Sequence, residues 1–240
     1  MSKDLEKENA AKEAVKLVKP GQIVGLGTGS TALFAIQEIG KLVSQGLQIQ
    51  AVPSSERTKA LAESLHIPLL DINAVDAIDL TIDGADEFTP ELRLIKGGGG
   101  ALLREKIIAS LTRQEIIIAD SSKQVQVLGK FKVPLAVTPF AVHYVLHQLP
   151  ALNGTGELRM TKSGPFVTDD GNHIIDADFG LIPDPERLSQ QLNDVEGVVA
   201  HGLFIGLANT VIMGARDTTV TFTSPPSNRS TGSTPHRSQT

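Results

Sequence analysis

The chain of 240 residues contains no cysteine, no tryptophan and one tyrosine, and only 4% of it is aromatic. Without cysteine neither a disulfide framework nor a thiolate metal site can form. No apolar run approaches the roughly 20 residues that a membrane-crossing helix needs. Positive charge is also in short supply: 22 Lys and Arg stand against 27 Asp and Glu, a formal net charge of −5. That balance argues against nucleic acid and against an anionic membrane surface, so an anionic ligand has to be held by a few local basic groups. The opening MSKDLEKENAAKEAV is charged and lacks the apolar core of a signal peptide, which makes the cytoplasm the expected compartment. The six histidines read as scattered, and no zinc site or other metal is expected.

What the chain does have is a 40% hydrophobic content, enough to bury a full core in one large domain or two modest ones. Ala11, Ala14, Val15 and Val18 share a helical face between Leu5 and Lys19, and Pro20-Gly21 stops the helix. A strand at Gln22 to Leu26 follows, then a helix whose Leu33, Phe34, Ile36 and Ile39 read as core, with Ser30 or Thr31 as its cap. Strands at Leu47 to Val52, Ile67 to Leu70 and Ala77 to Ile82 alternate with a helix at Glu56 to Leu65. A helix from Ala101 to Leu111 leads into the apolar Glu115 to Ala119 strand. This rhythm predicts an α/β fold, a Rossmann-like parallel sheet with helices on both faces.

From Val133 the order changes to strand, helix, strand, strand, helix, strand, which is the ferredoxin-like α+β arrangement. Residues 1–130 together with 203–220 are therefore assigned to the Rossmann-like catalytic domain, and 131–202 to a smaller ferredoxin-like one. Residues 221–240, rich in Ser, Thr and Pro, are expected to be a disordered tail.

Three polar turns follow strands: GLGTGST at Gly25 to Thr31, TIDGADE at Thr81 to Glu87 with the IKGGGG beyond it, and ADSSKQ at Ala119 to Gln124. An open parallel sheet gathers such turns at the carboxyl ends of its strands, where ligands bind. The first is not a dinucleotide fingerprint, because Ser30 stands where the third glycine belongs and no Gly-Lys-Ser/Thr is present. A monophosphate suits it better: Thr28, Gly29, Ser30 and Thr31 offer hydroxyls beside the free N–H groups of a helix start. Asp83 and Asp86, across the Gly84-Ala85 turn, are acceptors suited to sugar hydroxyls, although Asp often serves only its own turn. Glu87 is left as a surface or turn residue. Lys96 and Lys123 each follow a strand on this edge. Gly97, Gly98 and Gly99, ahead of a helix, would aim N–H groups at a developing oxyanion. On its own Glu105 would be a helix-surface residue able to pair with Arg104.

In combination VGLGTGST, TIDGADE, IKGGGGALLREKIIAS and IADSSKQVQVLGKF closely resemble the A-type ribose-5-phosphate isomerase family, and the likeness runs from the first helix to about Ala215. The resemblance implies the same two-part fold and a homo-oligomer, dimer or tetramer. It also implies an aldose–ketose isomerase acting on a sugar phosphate in the pentose phosphate pathway without a cofactor. It makes Glu105 the proton-transferring base, with Asp83, Asp86 and Lys96 in catalysis, and it alone makes Lys7 a phosphate ligand. Two other readings keep the scaffold. A deaminase or lactonase of phosphorylated sugars would need a catalytic His, and none lies in the three turns; a catalytically dead sugar-phosphate sensor would lack Glu105.

Overall fold

The computed structural model describes residues 2–223. Helix α1 (Lys3–Val15), strand β1 (Ile23–Leu26), helix α2 (Ser30–Ser44), strand β2 (Gln50–Pro53) and helix α3 (Glu56–Ser64) come first. Strand β3 (Ile78–Gly84) leads to two short strands, β4 (Glu87–Phe88) and β5 (Leu94–Ile95), then helix α4 (Leu102–Leu111) and strand β6 (Thr112–Asp120). The next stretch holds β7 (Val133–Val137), α5 (Val142–Gln148), β8 (Thr155–Leu158), β9 (Met160–Thr161), β10 (Gly164–Pro165) and β11 (His173–Asp178). Helix α6 (Pro185–Asn193) and strands β12 (Val198–His201), β13 (Leu203–Phe204), β14 (Thr210–Ala215) and β15 (Thr218–Thr223) complete it.

The main sheet has the order β15-β14-β6-β3-β1-β2, parallel throughout except for β15. Its central strands are apolar along their length because both faces are covered. Side chains two apart share a face, so Ile116 and Ile118 pack with α1 and α2, whereas Ile117 and Ala119 pack on the α4 side. Asp83 is in register with Ile117, and Thr81 with Glu115, which places Asp83 and Glu115 on the α4 side as well.

The second sheet, β12-β7-β11-β8, is antiparallel and carries α5 and α6, the strand order expected of a βαββαβ unit. A small antiparallel sheet, β13-β5-β4, connects the two, pairing Leu203 with Ile95 just before Lys96.

Several local expectations need correction. α1 ends at Val15, although Val18 is still buried beyond it. The Ile67 to Leu70 strand shrinks to one bridge, Ala51 to Leu69. The cap of α2 is Gly29, at φ 125°, and neither Ser30 nor Thr31 caps the helix. The chain also keeps its order past residue 220: β15 extends to Thr223, antiparallel to β14, so 221–223 are strand. β-branched Thr and Val make that stretch a workable edge strand despite its polarity. The rest of the expected tail, 224–240, lies outside the described residues.

Candidate active site

The carboxyl ends of β1, β3 and β6 meet beside β5, and the turns leaving them surround a cavity of about 90 Å³. It is lined by Thr28, Gly29, Ser30, Thr31, Gly84, Ala85, Asp86, Lys96, Gly97, Gly98, Gly99, Glu105 and Lys123. Two of the residues singled out from the sequence do not line it. Asp83 lies beneath it, and Lys7 reaches it from α1 by donating from Nζ to Ser30 Oγ at 3.1 Å. A larger cleft of about 580 Å³ lies between α3 and α4, but its Arg104, Glu56 and Asp170 are paired with one another. Chemistry favours the smaller cavity.

The first wall is the start of α2. Gly29 provides no side-chain cap, so the opening N–H groups of a 15-residue helix face the cavity with the positive end of its dipole. Thr28 lines the wall, but its hydroxyl is tied to Ser54, Ser55 and Thr58 at 2.7, 2.8 and 3.1 Å. That cluster was missed in the sequence; its signal is Ser55, which caps α3 by accepting from the Thr58 N–H.

The floor is an ionic group removed from water. Lys96 Nζ donates to Asp83 Oδ2 at 2.8 Å and to the Gly84 carbonyl at 2.5 Å. Asp83 Oδ1 accepts from the Thr28 and Gly84 N–H groups. Gly27 is needed here, because a Cβ on it would collide with the Asp83 carboxylate. Glu105 on α4 is only 4% exposed, so it is no surface residue. Its Oε2 has no hydrogen-bond partner among the described residues, and Lys96 Nζ stands 3.4 Å away, at ion-pair distance. Burial pushes the Glu105 carboxyl up to about 8; Lys96 opposes this, and Asp83 and Asp86 add to it. Burial works against the Lys96 charge too, but Asp83 and Glu105 outweigh it and the ammonium is held well above its ordinary range.

On the remaining side, Asp86 Oδ2 accepts from the Gly98 N–H at 2.7 Å, and the Gly100 N–H donates to the Gly97 carbonyl. Among the described residues the Gly97 and Gly99 N–H groups have no acceptor, so Gly98 is the one expected donor already in use. Lys123 lines the cavity from the short turn Ser121–Lys123, which Asp120 caps through the Ser122 N–H.

The match to known proteins agrees with this geometry. The family model for ribose 5-phosphate isomerase A (phosphoriboisomerase A) matches residues 50–218. A ribose-5-phosphate isomerase A of Sinorhizobium fredii is 48% identical over 90% of this chain and 96% of its own. The chain belongs to the ribose 5-phosphate isomerase A family. Among solved structures, a D-ribose-5-phosphate isomerase in complex with phospho-erythronic acid is 41% identical, with a TM-score of 0.88 over 90% of this chain and 97% of its own. Ribose 5-phosphate isomerase A of Methanocaldococcus jannaschii is 39% identical, also with a TM-score of 0.88, over 92% of this chain and 99% of its own.

Three features of this isomerase-family chain were misjudged or missed in the sequence. Glu87 is buried and structural, accepting from the Gly129 and Phe131 N–H groups at 2.9 and 2.6 Å. Glu115, at the head of the apolar 116–119 run of β6, is buried with its Oε2 unpartnered among the described residues. Burial first, and then Asp83, raise its carboxyl well above the usual range against the pull of Lys96. The histidines are not all scattered: His143 and His147 stand one turn apart on α5, Nε2 to Nε2 3.2 Å, and neither lines the cavity. Among the described residues no group of three or more His, Asp or Glu is placed to hold a metal ion, and no helix is long and apolar enough to cross a membrane.

Proposed function

We propose that this chain interconverts D-ribose 5-phosphate and D-ribulose 5-phosphate through an ene-diolate, with Glu105 as the base. The observation that carries the reading is a carboxyl buried on the cavity wall, whose Oε2 has no hydrogen-bond partner among the described residues and has an ammonium 3.4 Å away. Glu105 takes the proton from C2 of the open-chain aldose, and the C2–H electron pair forms a C1–C2 double bond. The negative charge moves onto O1, beside Lys96 and the free Gly97 and Gly99 N–H groups. The 2-hydroxyl proton passes to O1, and Glu105 returns its proton to C1, giving the ketose. A base in hydrogen-bond reach contributes about 10²- to 10⁴-fold, and one oxyanion donor about 10²- to 10³-fold.

The start of α2, with Lys7 and Ser30, anchors the phosphate, so that binding energy far from the reacting carbons positions them. Asp86 lines a cavity in which sugar hydroxyls need acceptors, and Lys123 supplies a donor on its rim. Asp83 acts on Lys96 from beneath, and its role in ring opening passes through that contact. The phosphorylated four-carbon acid bound by the similar isomerase fits this reading, because its planar carboxylate carries two oxygens as the ene-diolate does. Among the described residues no histidine lines the cavity, which disfavours the deaminase and lactonase readings. We also assign 1–130 with 203–220 to a catalytic domain and 131–202 to a smaller one, and place a cytoplasmic homo-oligomer in solution, which sedimentation would size.

The direct test is conversion of ribose 5-phosphate by the purified chain in deuterium oxide with a chelator present. The expected result is ketose formation with deuterium washed into recovered aldose at C2. No conversion, or conversion abolished by the chelator, would overturn the reading.

A further inference from the structure

The glycine turn that supplies the oxyanion donors is gripped from the second sheet. Arg159, just past the end of β8, donates from Nη1 to the Gly98 carbonyl at 3.0 Å. Two further N–H groups of its guanidinium are held by one carboxylate. Nε and Nη2 form a two-pronged pair with Asp176 of β11, at 2.9 and 2.5 Å, and the plane lies 5.6 Å from the Phe166 ring centre. Phe166 in turn sits against Gly100, where any Cβ would strike its ring. Arg159 and Phe166 are themselves tied together by the bond from the Phe166 N–H to the Arg159 carbonyl at 2.8 Å. Residues more than fifty positions further along the chain thus hold the turn at two points.

The consequence follows from peptide geometry. No peptide bond among the described residues is cis, and a planar trans peptide points its C=O and the following N–H to opposite sides. With the Gly98 carbonyl held toward Arg159, the Gly99 N–H is turned away from Arg159. Gly99 lines the cavity beside Thr28, and its N–H is one of the two in the turn without an acceptor among the described residues. Asp86 fixes the preceding peptide by accepting the Gly98 N–H, so successive planes are pinned from opposite sides. Without Arg159 nothing else among the described residues bonds the Gly98 carbonyl, and glycine backbone rotates more freely than any other.

We propose that Arg159 is a positioning residue for the isomerase reaction: by holding the Gly98 carbonyl it aims the Gly99 N–H at the oxygen that becomes negative in the ene-diolate. The proposal rests on the ene-diolate reading given above. Because the Gly99 N–H bonds that oxygen most strongly when it is charged, the effect falls on turnover and not on substrate binding.

The test is Arg159→Lys. Lysine keeps the charge and can still pair with Asp176, but a single ammonium cannot hold both oxygens of Asp176 and the Gly98 carbonyl as the planar fork does. The expected result is a kcat lower by about tenfold or more, a KM for ribose 5-phosphate within about threefold, and an unchanged thermal midpoint. Affinity for phospho-erythronic acid, used as the charged ene-diolate mimic, should fall in parallel with kcat. Asp176→Asn, which loosens the fork without touching the turn, should give the same split at a smaller, several-fold size and serves if the lysine variant does not fold. Wild-type kcat in both variants, or losses carried by KM with the mimic bound as tightly as before, would overturn the proposal. Absence of isomerase activity in the wild type would instead overturn the reading beneath it.

Discussion

Two glycine-rich turns open helices on the same edge of the main sheet, and they do different work. The turn ahead of α2, Gly27 to Ser30, carries no charge of its own; it exposes helix N–H groups and leaves its one cation, Lys7, on the neighbouring helix. The turn ahead of α4, Gly97 to Gly100, sits between a lysine and a glutamate that are both almost fully buried, and much of its own hydrogen bonding is committed. In the first, on the proposed reading, the helix end itself takes the anion. In the second the charges act, and the glycines let Asp86, Phe166 and Arg159 come close. What separates the two is the burial of the charges beside them: Lys96 and Glu105, which flank the second, are buried, whereas the first leaves Gly29 and Ser30 exposed with no buried charge next to them among the described residues. A dry site strengthens every charge interaction within it, and on the proposed reading the same glycine signature binds in one place and reacts in the other.

The strongest way to break this contrast is Lys96→Met. It removes the only cation that, among the described residues, the Asp83 and Glu105 carboxylates contact in the buried cluster, so it should cost about 3–5 kcal/mol of stability as well as about 10²- to 10³-fold in turnover. Denaturant unfolding together with kcat checks both, and a stable variant would mean the cluster is wetter than its burial indicates. Next comes Glu105→Gln, which keeps shape and removes basicity. Turnover should fall by about 10² or more with KM little changed, and C2 exchange in deuterium oxide should stop. A Gln variant that still exchanges would move the base elsewhere.

The pH profile sharpens the same side of the comparison. Glu105 must lose its proton to act, and burial raises its carboxyl to about 8. The kcat/KM of the free enzyme should therefore climb with pH, close to tenfold per unit well below 8, and level off above it. A profile already flat from pH 6 would place the base in a more exposed setting. The smallest effect belongs to the open turn: Lys7→Met should raise KM for ribose 5-phosphate by about tenfold, as loss of one charged hydrogen bond does, and leave unphosphorylated ribose unaffected. Equal losses for the two sugars would show that Lys7 only supports α1.

The two turns also differ in how far they can be anticipated. GLGTGST announces a strand end and a helix start by residue type alone; only its cap was misassigned, because Gly29 at φ 125° lies where a serine would be strained. The glycine run before α4 was equally visible, yet the burial of Glu105 was not, since REK is a common pattern on an exposed helix. Glu87 and Glu115 went unseen because a carboxylate on a strand reads as exposed until distant chain packs over it, and β15 because its Thr-rich composition resembles that of a tail.

What the sequence determined by itself is what short-range chemistry controls. The 3.6 and 2.0 periodicities, the βα alternation and its change at Val133, and the polar turns at strand ends all depend on neighbours a few residues away. Only the tertiary structure decided which charges are dry and which backbone groups are tied. Lys96 meets Asp83 across two strands, Glu105 loses its water when α4 packs onto the sheet, and Arg159 reaches Gly98 from another sheet. Desolvation and pairing are set by what lies above a residue in space, and that is supplied by chain far from it in sequence.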